Sequence, residues 1–267
     1  VIFRNRKPSF GEITAIPYRQ HRRYGGVIGH WMHLAGGGPN LFDIGGYGQN
    51  GAIDGAAWSV GRVGGALSYD GGNDSTAVAD NDRLDLTGGY LISFWIKPAS
   101  FGEDDRIIDK GGGTDDGYTI EIGLNSNIQV RHNDSTGITS SNNSLVVDTW
   151  AHVVVRNDAG TVNIFIDGVL DGSGTHAVPN ASTHVLTFAK KAGAASNYYD
   201  GEMDDIRMYG YPAPDAVVAS LFDAQFLEFE PQPPVWKAPA VVGGRIARYG
   251  DLSGLTGHGQ QMWNPLG

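Results

Sequence analysis

Apolar positions along the middle of the chain come in short runs separated by clusters of Gly, Asn, Asp and Ser. Sustained helical spacing is nearly absent. That pattern predicts antiparallel strands joined by tight turns. The clearest strand candidates are Ala66–Tyr69, Tyr90–Lys97, Arg106–Lys110, Tyr118–Leu124, Ile128–His132, His152–Asn157, Thr161–Ile166, Thr183–Ala189 and Asp204–Tyr209. Asp158-Ala159-Gly160 separates two β-rich runs as a hairpin loop, with the glycine suited to a positive φ. About eleven such strands fit two packed sheets, an all-β sandwich, and do not fit a parallel α/β fold. Trp31, Trp95 and Trp150 lie in the β-rich runs and are expected to fill the core. His152 shares a sheet face with Trp150 and is expected to be a packed, hydrogen-bonded histidine. One helix is expected, over Pro214–Ala224, with Val217, Val218, Leu221 and Phe222 on one face.

Both ends of the chain break this pattern. Residues 1–24 show no strand alternation, and Pro231-Gln232-Pro233-Pro234 reads as a stiff extended spacer. The expected layout is an N-terminal arm (1–24), a sandwich (25–230) and a Pro/Gly-rich C-terminal arm (231–267). Charge follows the same division. The first arm carries Arg4, Arg6, Lys7, Arg19, Arg22 and Arg23 against Glu12, a net +5. The last carries Lys237, Arg245 and Arg248 against Asp251, a net +2, and the body between holds −17 of a total of −10. An acidic body with basic ends suits arms that seek an acidic partner, the ends together with Trp236 and Trp263 forming the partner-binding elements. The same body charge opposes approach to phosphate, so nucleic acid is excluded as a partner. The chain has no Cys, which removes a disulfide framework. It has no apolar run long enough for a bilayer span, and neither a membrane nor a signal peptide is expected.

Candidate chemistry is sparse. Glycosidases built on two-sheet sandwiches place alternating carboxylates on one strand, and no such triplet occurs, so catalysis is not expected. His30 and His33, three apart in a strand, should face opposite ways and hold no metal. Calcium is the one ion with a plausible ligand loop, Asp70-Gly71-Gly72-Asn73-Asp74, which also suits Asx-turn hydrogen bonding. Asp80, Asp82 and Asp85 read as a solvated turn, and Glu103-Asp104-Asp105 as a solubilising acidic loop.

Several ordered stretches resemble the laminin-G-like branch of the concanavalin A-like jelly-roll superfamily. They are Val27-Ile28-Gly29-His30-Trp31, Gly64 to Asp74, Leu91 to Pro98, Trp150 to Val155 with Ile164 to Gly168, and Gly201 to Tyr209. The resemblance implies a two-sheet antiparallel jelly roll, lectin-like binding, and a structural calcium near Asp70, Asn73 and Asp74 that can involve Asp204 and Asp205. The arms resemble those of laminin-G-like proteins of tailed phages. That similarity implies a non-enzymatic virion protein, such as a capsid decoration protein on the outer surface, bound to other virion proteins and to copies of itself. The alternative is an extracellular or cell-surface carbohydrate-binding module. Tyr198 and Tyr199 are the candidate contacts to a host-surface glycan.

Overall fold

The computed structural model describes residues 26–34, 36–112 and 115–223, and the backbone of 241–242 and 245–246. The chain divides into two compact units, Val1–Pro231 and Gln232–Gly267. In the first unit two eight-stranded antiparallel sheets face each other. One runs in the order β14 (Val169–Thr175), β13 (Thr161–Ile166), β12 (Ala151–Asp158), β7 (Tyr90–Pro98), β16 (Asp200–Tyr209), β5 (Gly65–Asp70) and β4 (Ala57–Val60), with β1 (Val27–Trp31) also paired to β16. The other runs β11 (Ser135–Thr139), β10 (Asn127–His132), β9 (Tyr118–Gly123), β8 (Asp105–Asp109), β15 (Leu186–Phe188), β6 (Ser75–Val78), β3 (Gly51–Asp54) and β2 (Asn40–Leu41). In the second unit, β17 (Val241–Val242) and β18 (Arg245–Ile246) form a two-stranded pair. Among the described residues no helix is long and apolar enough to cross a membrane.

Period-two alternation decides which side chains fill the space between the sheets. Tyr90, Ile92, Phe94 and Ile96 of β7 and Val153 and Val155 of β12 meet Ile120 and Ile122 of β9 and Ile128 and Val130 of β10 there. Each fully buried side chain of this kind contributes roughly 1.5–3 kcal/mol. Trp31 lies in this layer, its Nε1 donating to the Gln49 carbonyl at 2.7 Å and its edge on Phe188. The other two expected core tryptophans do not. Trp95 points to the outer face of its sheet, buried between Phe222, His152 and Arg62, because it alternates with Phe94 and Ile96. Trp150 precedes β12 and is only half-buried.

The helix α1 (Asp215–Asp223) closes the outer face of the first sheet. Val217, Val218 and Leu221 cover Leu91, Val154, Phe165 and Tyr209, and the start of β1 joins the same cluster through Val27. Strand β16 organises this sheet. It pairs with β7 along one side. Along the other it pairs with β5 over Asp200–Met203 and with β1 over Ile206–Tyr209. Where the partner changes, a β-bulge interrupts the ladder between Asp204 and Arg207, and Asp205 takes a φ of 50°.

Candidate functional site

The bulge explains the fate of four candidate residues. It sets Asp204 and Asp205, both almost fully buried, against the histidines of the first strand segment. His30 Nε2 lies 2.8 Å from Asp205 Oδ1, and the Asp205 backbone N–H donates to His33 Nδ1 at 3.2 Å. The expectation that His30 and His33 face opposite ways is therefore corrected. Strand β1 ends at Trp31, and a φ of 55° at His33 turns that ring back to the same acidic pair. Arg207 completes the cluster with a bond from Nη2 to Asp205 Oδ2 at 2.7 Å. Arg207 and His30 hold the Asp205 carboxyl far below the usual carboxylate range despite its burial. Burial, followed by the Arg207 charge, lowers the His30 pKa, so the ring is neutral and donates from Nε2.

The ligand set inferred for calcium is not brought together. Asp204 and Asp205 are committed to the histidine–arginine cluster, while Asp70, Asn73 and Asp74 lie in the β5–β6 loop. There Asp70 Oδ1 accepts from the backbone N–H of Gly72 (2.8 Å) and Asn73 (3.2 Å), and Asp74 Oδ2 accepts from Asp70 N–H (3.1 Å). These are Asx-turn bonds closing the loop on itself. They lower the Asp70 pKa, and burial raises that of Asp74. Among the described residues no three His, Asp or Glu side chains are grouped as a metal site.

The sugar-contact pair divides. Tyr199 is fully buried, its Oη donating to the Glu202 carbonyl at 3.2 Å, and cannot touch a ligand. Alternation next to β16 turns Tyr198 the other way, half-buried, into an open cleft of about 250 Å³. That cleft joins residues from both predicted sets with others the sequence reading missed. Asp70, Gly71 and Asp200 form one wall, Ser100, Phe101 and Gly102 another, with Asp105 and Tyr198 between them. Opposed registers place Asp70 directly across from Asp200. Gly71 (φ 70°) passes so close that a Cβ there would lie 2.8 Å from Asp200 Cβ. Ser100 Oγ donates to Asp200 Oδ2 at 2.8 Å, and the Gly102 N–H donates to Asp105 Oδ2 at 2.6 Å. Burial, then the neighbouring Asp200 and Asp104, raise the Asp105 pKa. Tyr198 is fixed by a parallel bridge to Arg106. Among the described residues, the cleft presents two aromatic rings, two hydroxyls and three carboxylates, and neither Lys nor Arg lines it.

Other acidic segments also have defined roles. Asp80 and Asp85, expected to be a solvated turn, hold the fully buried Lys110 ammonium at 2.7 and 2.9 Å. Asp105 is buried in the cleft and does not serve solubility. Arg4, Arg6, Lys7, Arg19, Arg22, Arg23, Trp236, Arg248 and Trp263 lie outside the described residues, and only the backbone of Arg245 is described, in β18.

Two facing antiparallel sheets with an open polar cleft at one end define a lectin-like jelly roll. The chain belongs to the concanavalin A-like lectin/glucanases superfamily, whose laminin-G-like family model matches residues 70–219. No curated protein sequence matches it significantly. Among solved structures it is similar to the binding domain of botulinum neurotoxin serotype D (TM-score 0.60, 16% identity, 76% of this chain and 52% of that one). It is also similar to domain 4 of AbnA, a GH43 extracellular arabinanase from Geobacillus stearothermophilus, in complex with arabinotriose (TM-score 0.56, 19% identity, 73% of this chain and 97% of that one). A third is a Trypanosoma rangeli sialidase (TM-score 0.57, 11% identity, 76% of this chain and 33% of that one). The chain spans about half the length of the neurotoxin domain. At these identities the likeness concerns the fold.

Proposed function

We propose that the jelly roll is a non-catalytic glycan-binding module whose acidic–aromatic cleft takes uncharged sugars. The carrying observation is the cleft lining: Phe101 and Tyr198 supply apolar ring faces, Ser100, Asp70, Asp105 and Asp200 supply hydrogen-bonding groups, and no cation stands among the described lining residues. Sugar rings have apolar C–H faces and hydroxyl edges, and such a mixed surface suits both. Carboxylates with no compensating cation among the described lining residues disfavour sialylated or sulfated ligands. The structural neighbours that are named as binding domains, and the one named in complex with arabinotriose, support a binding role. Glutamate and aspartate alternate on β16 at Glu202 and Asp204, but Asp204 is buried and Glu202 faces Lys97 at 3.4 Å, which favours binding over hydrolysis. Screening the full chain on a glycan array is expected to give neutral-glycan hits only. Tyr198→Ala should weaken those hits at least about tenfold. Absence of any hit at millimolar sugar, or equal binding by Tyr198→Ala, overturns the reading.

The charge layout favours a second, compatible role. An N-terminal arm of +5 joined to a body of −17 suits anchoring to a multivalent acidic lattice, as in a virion surface protein. Deletion of residues 1–24 should then abolish incorporation into phage particles, and full incorporation of the truncated chain removes this role.

A further inference from the structure

A second groove lies on the outer face of the other sheet. Ile128 and Val130 of β10 face the core, so the alternating Asn127, Gln129 and Arg131 face outward, beside Thr139 of β11. Above them is an open space of about 320 Å³. The turn before β8 separates it from the first cleft: Gly102 and Asp105 line the first, Glu103 and Asp104 the second.

The floor of this groove is shaped by a glycine with no conformational need to be one. Gly123 does not adopt a positive φ. A Cβ at that position would lie 2.6 Å from Asn127 Oδ1 and 3.3 Å from Gln129 Oε1. The glycine therefore makes space for two carboxamides to lie low over β9. The surrounding groups are held in advance. Asn127 is buried and its Nδ2 donates to the Ser140 carbonyl at 3.4 Å. Arg131 is fixed through Nε to Glu121 Oε1 at 2.7 Å, and Glu121 is fully buried and also paired with Arg106. Gln129, half-buried, makes no side-chain hydrogen bond with any described residue, leaving a carbonyl acceptor and an amide donor available side by side.

These features specify the ligand. A carboxamide presents donor and acceptor together, which matches a hydroxyl or a vicinal diol. Arg131, the one cation among the described lining residues, is paired with Glu121 and Asp134 and stands beside Glu103 and Asp104, so an anion is not favoured there. Leu124, 72% exposed at the rim, offers an apolar contact. We propose that this groove is a second sugar subsite, independent of the first cleft and also specific for uncharged glycan. The proposal rests on the glycan-binding reading given above.

The test is residue-resolved NMR of the full chain titrated with arabinotriose, maltotriose and cellotriose at millimolar concentrations. The expected result is saturable shifts of the Asn127, Gln129 and Thr139 signals. Gln129→Ala should make binding at these signals about fivefold weaker, as for one lost neutral hydrogen bond, and leave the Ser100, Gly102 and Asp200 signals unchanged. Gly123→Ala should weaken the same site by filling its floor, and Gln129→Ala remains decisive if that variant misfolds. Shifts confined to Ser100, Gly102 and Asp200 overturn the second subsite and leave the first cleft standing. Shifts at neither set overturn both. Shifts at Gln129 that persist undiminished in Gln129→Ala overturn the assignment of this groove.

Discussion

At the scale of single residues, the buried histidines couple folding to pH. His132 donates from Nδ1 to the Ala177 carbonyl, and its Nε2 lies 2.7 Å from Tyr90 Oη, which donates to it when the ring is neutral. Burial pushes its pKa down to about 4. His152, whose Nε2 lies 2.9 Å from Ser93 Oγ, is pushed down to about 3 by burial. In the unfolded chain both titrate near the ordinary value of about 6.5. The unfolded state therefore binds more protons between those values. Stability contributed by the neutral rings is complete above about pH 6.5 and is lost as pH falls toward 4 and then 3. Unfolding free energies from urea titrations should be level above about pH 6.5 and decline from there to pH 4, by an amount on the order of a few kcal/mol. A flat profile would show that these rings are accessible to protons. His152 was legible in the sequence as a packed histidine because it sits at a fixed offset inside an apolar run. His30 and His33 were not, because their convergence depends on a positive φ and on a bulge in a strand far along the chain.

At the scale of elements, β16 buries three charged side chains, Asp204, Asp205 and Arg207. Asp205→Ala would remove the carboxylate that pairs with the buried Arg207 guanidinium and accepts from His30. Breaking such a pair costs about 3–5 kcal/mol, and denaturant unfolding of this variant should show a loss of that size. Central strands such as β7, β9 and β12 were readable because both faces are covered and every position is under constraint. Edge strands were harder to read. β4 and β14 expose Val60, Val169 and Leu170 and bury little, so their sequences carry weak alternation. The β6 segment, Ser75 to Val78, looks like loop composition, yet Thr76 is buried by its bond to Tyr69 Oη. The first cleft was half legible. Asp70 and Tyr198 stood out from turn chemistry and a tyrosine pair, whereas Ser100, Asp105 and Asp200 acquire meaning only when strand register brings three loops together.

At the scale of the whole molecule, the acidic character of the body divides between structure and surface. Asp80, Asp85, Asp205 and Glu121 neutralise buried cations, while Asp70 and Asp200 keep part of their surface open in the cleft. Because the Asx turns satisfy Asp70 and Asp74 internally, removing divalent ions with a chelator should leave the melting temperature unchanged, and a calcium-dependent rise would restore the ion to the β5–β6 loop. The pairing of the first and last strands has a further effect. Val27 lies beside Tyr209, the Gly210 N–H donates to the Gly26 carbonyl at 3.0 Å, and α1 packs against the same corner. The chain therefore passes the same corner twice, at Gly26 and at Gly210, before α1 carries it on to Phe222 beside Trp95. A circular permutant that joins residue 223 to residue 26 through a flexible glycine–serine linker long enough to run back along α1, reopened among the exposed glycines Gly36 to Gly38, should fold to the same two sheets by circular dichroism.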